Sequence, residues 1–249
     1  MQQPQVIQLS AYDPLPPPSR AWGRDTVAPG LLAIGGGLAL PRLLEAYGQG
    51  CFPWYSDGQP VMWWSTDPRM VLHCDEFKLH RSLRKILTHA VLDGTLQIRM
   101  NCDFEAVIQH CARAPRPGQS GTWIVKDMVN AYVQLHKAGY AHSVEAWVND
   151  RLVGGLYVIA LGQAVFGESM FSLEPNGSKL ALAGLMAYCK AHGVKWVDCQ
   201  QKTAHLASLG AREISRIEFL EHLMHAKTQA AMPWEFLPIY WQHILKISR

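Results

Sequence analysis

The order of helices and strands over residues 126–199 constrains the fold of this sequence most. Apolar residues at helical spacing predict a helix over 126–137. Three strands are predicted after it, over residues 142–148, 152–160 and 164–171. The turn residues Asn149-Asp150 separate the first two strands, which makes them antiparallel neighbours. A helix over 178–192 and a strand over 195–199 follow, so the sequence predicts an α+β fold with a mixed, mostly antiparallel sheet flanked by helices.

The residues before this pattern predict a smaller N-terminal unit. Residues 1–30 are rich in proline and are expected to lie extended on the surface, because proline fixes φ and donates no backbone hydrogen bond. A short helix is predicted over 41–48, and Asp57-Gly58 between apolar segments predicts a hairpin. The sequence thus predicts a small N-terminal α/β domain over residues 1–74 and a larger domain over residues 75–249.

Aromatic residues cluster around the predicted hairpin, and they are Phe52, Trp54, Tyr55, Trp63 and Trp64. Composition favours a small aromatic core, because large aromatic side chains are usually buried. The alternative is a wall on which a nucleobase stacks, since aromatic faces accept any base. The residues alone leave both interpretations open.

The segment 77–87 predicts an amphipathic helix with one basic face. Four cations recur at three- and four-residue steps opposite its apolar stripe, and they are Lys78, Arg81, Arg84 and Lys85. A solvated helix surface is the commoner explanation for such a run of charge. Contact with the phosphates of a nucleic acid is the alternative, because clustered Lys and Arg neutralise phosphates and release counterions.

Composition indicates a globular protein in the cytoplasm. Of the residues, 49% are hydrophobic and 17% are charged, which is typical of a chain with a packed core. No apolar run approaches the roughly 20 residues of a membrane span, and the N-terminus lacks the features of a secretory signal. Six cysteines without paired spacing indicate free thiols and no metal site. The net charge of +3 does not by itself identify a nucleic-acid partner.

Polar side chains between residues 166 and 200 predict the functional centre. Glu168 lies near the end of one predicted strand, and Asp198 and Gln200 near the end of another. Strand ends can bring polar groups together, and buried ionisable groups are costly without a partner or a task. Alternation along a strand predicts that Asp198 and Gln200 share one face and that Cys199 packs on the other, against a helix. Asp198 alternatively serves only to satisfy buried backbone amides.

Several segments of the sequence resemble one bacterial enzyme family. Around the functional centre they are Gly167-Glu168-Ser169-Met170-Phe171-Ser172, Asp198-Cys199-Gln200 and His205-Leu206-Ala207-Ser208-Leu209-Gly210-Ala211. Before it they are Leu31-Leu32-Ala33-Ile34-Gly35-Gly36, Gly50-Cys51-Phe52-Pro53-Trp54-Tyr55-Ser56, Trp63-Trp64-Ser65-Thr66-Asp67-Pro68-Arg69 and Gly121-Thr122-Trp123-Ile124. In this order they are similar to the signature segments of the bacterial leucyl/phenylalanyl-tRNA–protein transferases, over roughly residues 31–220.

The resemblance implies a fold and an activity. The family has the GNAT-like acyltransferase fold, which agrees with the predicted element order. Its members transfer Leu or Phe, and less readily Met, from aminoacyl-tRNA to the N-terminal Arg or Lys of proteins, which marks these proteins for N-degron-dependent degradation. Aminoacyl-tRNA is a substrate, so the resemblance implies no cofactor and no metal. It also leads us to expect a monomer without a membrane partner.

The resemblance also implies roles for individual residues. Asp198 and Gln200 are implied as catalytic, Asp198 polarising or holding Gln200 while the Gln200 carbonyl takes a proton from the attacking amine. Glu168 is expected to receive the cationic N-terminal residue of the acceptor. The implied aminoacyl pocket consists of Leu156, Val165, Met170, Leu185 and Val197. Trp54 and Trp123 are implied to contact the terminal adenosine, and Lys78, Arg81, Arg84 and Lys85 to bind tRNA.

Two other functions remain open from the residues. One is an acyl-CoA-dependent N-acetyltransferase of the same fold. The turn over 173–179 speaks against it, because it has one glycine and a proline where such enzymes present backbone amides to the pyrophosphate. Ser178 is nevertheless predicted to cap a helix that, with Lys179, could receive a different phosphate. The other is a non-catalytic RNA-binding module, which would leave Glu168, Asp198 and Gln200 without a role.

Overall fold

Three long strands joined by tight turns organise the larger of two sheets in this protein. The computed structural model describes residues 4–114 and 124–246. The strands are β1 (Gln8–Leu9), β2 (Leu31–Gly35), β3 (Phe52–Pro53), β4 (Met62–Trp64), β5 (Arg69–His73), β6 (Leu96–Met100), β7 (Ala141–Val148), β8 (Arg151–Leu161), β9 (Ala164–Ser172), β10 (Trp196–Asp198) and β11 (Arg212–Ile214). The helices are α1 (Leu40–Gly48), α2 (Arg81–Leu92), α3 (Phe104–Arg113), α4 (Lys126–Lys137), α5 (Gly177–Ala191), α6 (Ala204–Ser208) and α7 (Arg216–Ala226).

The observed elements confirm the predicted α+β order from α4 to β10. Helix α4 has the predicted bounds, and β7, β8, β9 and α5 agree with their predicted bounds to within a residue or so. Strands β1, β2, β5, β6 and β11 were not predicted. The three residues of β11 are too few for a periodic signal, whereas the alternation of Leu96, Ile98 and Met100 in β6 is a signal typical of a strand.

The strands form one small and one large sheet. The small sheet has the order β1-β2-β4-β3, and the large sheet has the order β11-β5-β10-β9-β8-β7-β6. Strands β6 to β9 form an antiparallel meander, whereas β10 pairs parallel to β9 and antiparallel to β5. The large sheet is therefore mixed and mostly antiparallel, as the sequence predicted.

The parallel pair β9 and β10 is short, and the sheet opens where it ends. Only Val165 and Phe166 of β9 pair with Val197 and Asp198 of β10. Beyond these pairs β10 stops, while β9 continues to Ser172 beside β8. The sheet thus has a gap between the two strands, and residues on either side of it can face a common space.

Strand β9 contains an irregularity next to this gap. Gly167 pairs with Val158 and Ser169 with Tyr157, so Glu168 is an extra residue without a partner on β8. A bulge of this kind redirects one side chain relative to the regular alternation of the strand. Glu168 is therefore displaced from the sheet pattern toward the gap.

Two hydrophobic clusters cover the two faces of the large sheet. The first contains residues of both sheets together with α1, α3, α4 and α7, among them Trp63, Tyr132, Phe166 and Phe219. The second contains residues of α2 and α5, among them Leu83 and Leu185. The change of sheet falls between Trp64 and Arg69, before the predicted domain boundary at residue 74. The division into two domains stays a prediction, because the first cluster joins both sheets.

The basic helix begins later than predicted. A short 3-10 helix, Cys74–Glu76, and an extended segment precede α2, which starts at Arg81. The backbone N–H of Lys78 donates a hydrogen bond to the Leu209 carbonyl at 2.8 Å, so this residue pairs with the chain after α6 instead of beginning a helix. None of the helices in the two described ranges has the length and hydropathy that a membrane span requires.

Candidate active site

A cavity of about 250 Å³ lies in the gap between β9 and β10. Its apolar wall consists of Phe52, Pro53, Trp54, Leu72, Leu156, Met170, Leu182, Leu185, Val197 and Leu206. Its other lining residues are Tyr157, Gly167, Glu168, Ser169, Cys199, Gln200, Gln201 and Thr203. The cavity is much larger than the roughly 30 Å³ of one water molecule. An apolar pocket with a few polar groups on one side is typical of a site for a small apolar group with a reactive end.

Glu168 lies between the cavity and two buried tyrosines. The Tyr47 hydroxyl donates to Glu168 Oε1 at 2.8 Å, and the Tyr132 hydroxyl donates to Oε2 at 3.3 Å. The two hydroxyl oxygens are also within hydrogen-bond distance of each other. Tyr47 comes from α1 and Tyr132 from α4, and both are fully buried. The carboxyl group is thus surrounded by neutral partners from two separate helices.

The environment of Glu168 favours its protonated form. Burial, which makes a carboxylate costly because it loses contact with water, and the nearby Asp198 carboxylate together raise the pKa of the Glu168 carboxyl to about 8. The hydroxyl bonds from Tyr47 and Tyr132 and the more distant Arg69 guanidinium oppose this shift. At neutral pH a carboxyl with such a pKa is mostly protonated, and a cation bound beside it would favour its ionisation.

Gln200 faces the same carboxyl from the other side of the gap. Its side-chain Nε2 donates to Glu168 Oε1 at 3.4 Å. Its backbone has φ of 56°, in the left-handed region that residues other than glycine seldom adopt. Its backbone N–H donates to Asp198 Oδ1 at 3.0 Å. Gln200 and Glu168 are therefore the two polar residues that the structure brings together at the cavity, as the sequence predicted.

Asp198 lies outside the cavity, which corrects the predicted arrangement. The residue is 1% exposed, and its carboxylate binds Arg69 through two hydrogen bonds, from Nε at 2.8 Å and from Nη2 at 2.6 Å. The prediction that Asp198 and Gln200 share a strand face is wrong, because β10 ends at Asp198 and the chain then turns left-handed at Gln200. Asp198 contacts Gln200 through the backbone of the latter.

Cys199 packs against the second core, as predicted, but it lines the cavity together with Gln200, so the prediction that these two residues face opposite sides is wrong. The early end of β10 is the reason, since alternation applies only within the strand. Burial and the neighbouring Asp198 raise the pKa of the Cys199 thiol far above its usual value. A thiol that stays protonated is a poor nucleophile, so we do not expect Cys199 to attack the substrate.

The predicted aminoacyl pocket coincides with the apolar wall except at one position. Leu156, Met170, Leu185 and Val197 all line the cavity. Val165 does not, because it is buried beside Val197 in the parallel pair and faces the interior of the second core. Leu72, Leu182 and Leu206 complete the wall and were not predicted. Leu182 could have been found, because it lies one helical turn before Leu185.

The aromatic residues of the predicted hairpin lie partly in the first core and partly at the cavity. Phe52, Tyr55, Trp63 and Trp64 are buried in the first core, as an aromatic core would require. Trp54 is only partly buried and lines the cavity. Its ring meets the Trp64 ring edge to face, with the two ring centroids 5.6 Å apart. Trp123 lies outside the described residues, so its predicted role remains a prediction.

The predicted basic cluster is exposed and connects to the cavity through α6. Lys78, Arg81, Arg84 and Lys85 are all exposed, and none forms an ion pair with a carboxylate in the described part of the chain. Lys78 precedes α2, so the prediction of four cations on one helical face is wrong for this residue. His80 Nε2 contacts the Ser208 carbonyl at 2.8 Å, and Leu206 of the same helix lines the cavity.

The N-terminus of α5 is occupied by the protein itself. The predicted cap Ser178 lies within the first turn, and the N-cap is Asn176 in a left-handed conformation. The Ser178 backbone N–H donates to Ser172 Oγ at 2.9 Å. A Cβ on Gly177 would lie 1.9 Å from the Val153 carbonyl oxygen, so β8 presses directly against this helix end. The amides that would receive a pyrophosphate are therefore obstructed.

Within residues 4–114 and 124–246, no three His, Cys, Asp or Glu side chains come together to form a possible metal site.

Comparison with known proteins gives consistent matches over nearly the whole chain. The family profile described as leucyl/phenylalanyl-tRNA protein transferase matches residues 71–224, and the profile of the N-terminal domain of the same family matches residues 36–67. A leucyl/phenylalanyl-tRNA–protein transferase of a Polaromonas species is 56% identical over 98% of this chain and 96% of its own length. The corresponding protein of Albidiferax ferrireducens is 52% identical with the same coverage.

Among solved structures, one described as the crystal structure of FemX has a TM-score of 0.43 and 12% identity. The match covers 72% of this chain and 67% of that chain.

The raised pKa of Glu168 predicts a pH dependence of stability. Between pH 4.5 and about 8 the folded protein holds a proton at Glu168 that the unfolded chain releases. The free energy of unfolding should therefore fall as pH rises through this window. The Glu168→Gln variant cannot ionise at this position. Its free energy of unfolding, relative to that of the original chain, should therefore rise by roughly 2–4 kcal/mol from pH 5 to pH 9. Urea unfolding of both proteins at the two pH values measures this change, and a difference in stability that does not depend on pH would contradict it.

Proposed function

The chain belongs to the leucyl/phenylalanyl-tRNA–protein transferase family, and on this basis we propose that it transfers an amino acid from aminoacyl-tRNA to the N-terminal α-amine of an acceptor protein. The observation that carries this proposal is the apolar cavity with Glu168 and Gln200 on one side. We further propose that the donor carries Leu or Phe, and less readily Met, that the acceptor begins with Arg or Lys, and that the product is marked for N-degron-dependent degradation.

The cavity suits the side chain of the donor amino acid. Its apolar wall would exclude water from a leucyl or phenylalanyl side chain, and burying such a side chain contributes roughly 1.5–3 kcal/mol. Trp54 at the same cavity is proposed to contact the terminal adenosine by stacking, with Trp123 as a second such residue. The ester carbonyl of the donor would then lie at the polar side of the cavity.

The transfer needs little chemistry beyond orientation, because the donor is already an activated ester. The neutral α-amine of the acceptor attacks the ester carbonyl, the new C–N bond forms, and the C–O bond to the tRNA ribose breaks. The amine loses a proton, and the departing ribose oxygen gains one. Gln200 is proposed to orient the amine through its side-chain carbonyl, since its Nε2 is directed at Glu168. Asp198 is proposed to act by holding Gln200, because it is buried away from the cavity.

Glu168 is proposed to receive the cationic N-terminal residue of the acceptor. Its partners in the described structure are neutral hydroxyls and the Gln200 amide, so it has no permanent cation within hydrogen-bond distance. An arriving Arg or Lys residue would supply the charge that lowers the pKa of Glu168 and ionises it. Acceptor selection by charge would therefore be coupled to the protonation of this carboxyl.

The four exposed cations near α6 are proposed to bind the tRNA backbone. Lys and Arg side chains track phosphates but carry little base-reading geometry when they lie on one surface. The contacts of His80 with Ser208 and of Lys78 with Leu209, at the end of α6, support this proposal, because Leu206 of the same helix lines the cavity. The tRNA body could then be held while its aminoacyl end enters the cavity.

The fold and its setting follow the same reasoning. We propose a GNAT-like fold, supported by the element order from α4 to β10 and by the parallel strands β9 and β10 that separate at the cavity. We retain the division into residues 1–74 and 75–249, a monomeric state, a cytoplasmic location and independence from cofactors as proposals. Acyl-CoA is a poor alternative donor, because the N-terminus of α5 is obstructed by Ser172 and β8.

A transfer assay tests the proposed function. Purified protein should transfer labelled leucine from leucyl-tRNA to a peptide that begins with Arg, and much less to the same peptide beginning with Ala. Gln200→Ala should lower the single-turnover rate by about 100-fold or more and leave the affinity for aminoacyl-tRNA nearly unchanged, because Gln200 acts on the amine. Transfer that is absent from the original chain, or unaffected by Gln200→Ala, would contradict the proposal.

The cavity wall should decide between leucyl- and phenylalanyl-tRNA. Leu185→Ala enlarges the cavity, so it should shift the ratio of kcat/KM toward phenylalanyl-tRNA by roughly tenfold or more. Val165→Ala is the matched control, because it removes apolar volume from the adjacent core and leaves the wall intact. Competition between the two charged tRNAs measures the ratio. Equal shifts in both variants would show that core packing, and not the wall, sets the preference.

Salt dependence tests the tRNA surface. Replacing Arg81 and Arg84 by Ala should reduce the slope of log affinity against log salt by about one unit for each lost phosphate contact. The double substitution should weaken the binding of leucyl-tRNA and of phenylalanyl-tRNA to the same extent. Replacing Arg99 and Arg151 by Ala removes the same charge from residues that are paired with Asp150 and Glu174, so this control should keep its slope. Filter binding at several salt concentrations would reveal whether tRNA docks elsewhere.

A further inference from the structure

We propose that Thr66 and Arg69 are positioning residues that hold Gln200 in the left-handed conformation from which its carboxamide reaches Glu168. This inference rests on the proposed role of Gln200. It also assigns a function to the segment Trp63-Trp64-Ser65-Thr66-Asp67-Pro68-Arg69, which the roles described above leave unexplained.

Three hydrogen bonds fix the backbone of Gln200. Its N–H donates to Asp198 Oδ1 at 3.0 Å. Its carbonyl accepts from the Thr66 hydroxyl at 3.0 Å and from the Met70 backbone N–H at 3.3 Å. The left-handed backbone conformation is unfavourable for a residue other than glycine, and such a residue keeps it only where the surrounding structure holds the backbone in place. The backbone N–H and the backbone carbonyl of Gln200 are therefore both held by fixed partners.

Arg69 fixes the position of Asp198, which accepts the hydrogen bond from the Gln200 N–H. Its guanidinium forms the two-bond pair with Asp198 and lies between the rings of Phe52 and Phe219, at 4.8 and 4.5 Å from their centroids. Arg69 is itself only 1% exposed. A planar guanidinium can meet a carboxylate with two parallel bonds and stack on rings, whereas a lysine ammonium cannot do both. The position of the Asp198 carboxylate is thus set by β3, β5 and α7 together.

The segment that carries Thr66 is anchored from the other side as well. Arg216 at the start of α7 donates from Nη1 to the Ser65 carbonyl at 2.9 Å, and its backbone N–H donates to Asp67 Oδ1 at 3.2 Å. These bonds hold the residues on both sides of Thr66 against α7. The backbone at Thr66 is consequently held in place, and its hydroxyl stays within hydrogen-bond distance of the Gln200 carbonyl.

The resulting arrangement transmits position from a buried ion pair to a residue at the cavity. Neither Thr66 nor Arg69 lines the cavity, so neither can touch the donor or the acceptor there. Thr66 must therefore act on transfer through Gln200, and so must Arg69 apart from the effect of its charge on Glu168. This separates them from the residues of the cavity wall, whose substitution should alter substrate binding directly.

A pair of substitutions at Thr66 tests the inference. Thr66→Val keeps the shape and removes the hydroxyl, so it should lower kcat about three- to tenfold, the effect of one lost hydrogen bond. Thr66→Ser keeps the hydroxyl and should retain a rate close to that of the original chain. KM for aminoacyl-tRNA should stay within about twofold in both, because the donor site is untouched. An unchanged kcat in Thr66→Val, or an equal loss in Thr66→Ser, would overturn the role of Thr66.

A double-mutant cycle distinguishes positioning from a general effect on folding. In the Gln200→Ala background, Thr66→Val should cause no further loss of rate, because the carboxamide that it positions is gone. A purely structural role would lower the rate by the same factor in both backgrounds, and this result would overturn the inference. If the original chain shows no transfer at all, the proposed function fails instead, so the two failures are distinct.

Arg69→Lys tests the second residue. It retains the positive charge and loses the two-bond geometry, so kcat should fall at least as far as in Thr66→Val, with KM for aminoacyl-tRNA unchanged. Phe219→Leu provides a milder variant that removes one stacking ring and keeps Arg69 itself. It should lower kcat in the original chain but not in the Gln200→Ala background. Normal kcat in a folded Arg69→Lys protein, or additive losses in the Phe219→Leu cycle, would overturn the role of Arg69.

Discussion

The separation of two parallel strands is the constraint on which the site depends. Strands β9 and β10 pair at only two residues each, and beyond that point the large sheet is open. A gap in a sheet normally leaves unpaired backbone groups and exposed apolar surface, both of which are costly. Here the gap is lined by apolar side chains from β5, β8, α5 and α6, and by polar residues where each strand leaves the pair. The missing strand pairing and the cavity are one feature.

Two carboxyl groups beside this gap are stabilised in opposite ways. Asp198 is buried with a guanidinium that forms two short hydrogen bonds to it, so its charge has a partner within the protein. Glu168 is bonded to two tyrosine hydroxyls and an amide, none of which carries charge. One carboxyl is thereby committed to the structure, while the other keeps its capacity to respond to a cation. The difference arises from their neighbours and not from the residue type.

The sequence was sufficient to predict the elements from α4 to β10 and the position of Gln200 just beyond a strand end, because periodicity and turn residues are local signals. Glu168 was predicted near a strand end but lies in the middle of β9. The sequence was insufficient for Asp198, since its partner Arg69 is 129 positions away and no local pattern joins them. The misplacement of Cys199 relative to Gln200 has a related cause. The point at which β10 stops depends on pairing with β5 and β9, and side-chain direction beyond that point no longer alternates. The bulge at Glu168 is likewise a property of the β8–β9 pair.

The contacts that complete the site join distant parts of the chain, which has a consequence for its biosynthesis. The Tyr47–Glu168 bond spans 121 positions, the Thr66–Gln200 bond spans 134, and Phe219 on α7 supports Arg69 from still further along. Such contacts require closure of long loops and form after local structure during folding. A growing polypeptide on the ribosome therefore lacks a finished site until α7 has emerged. Because the last support comes from a helix near the C-terminal end, truncated products of interrupted translation would contain most of the fold and still lack the geometry at Gln200.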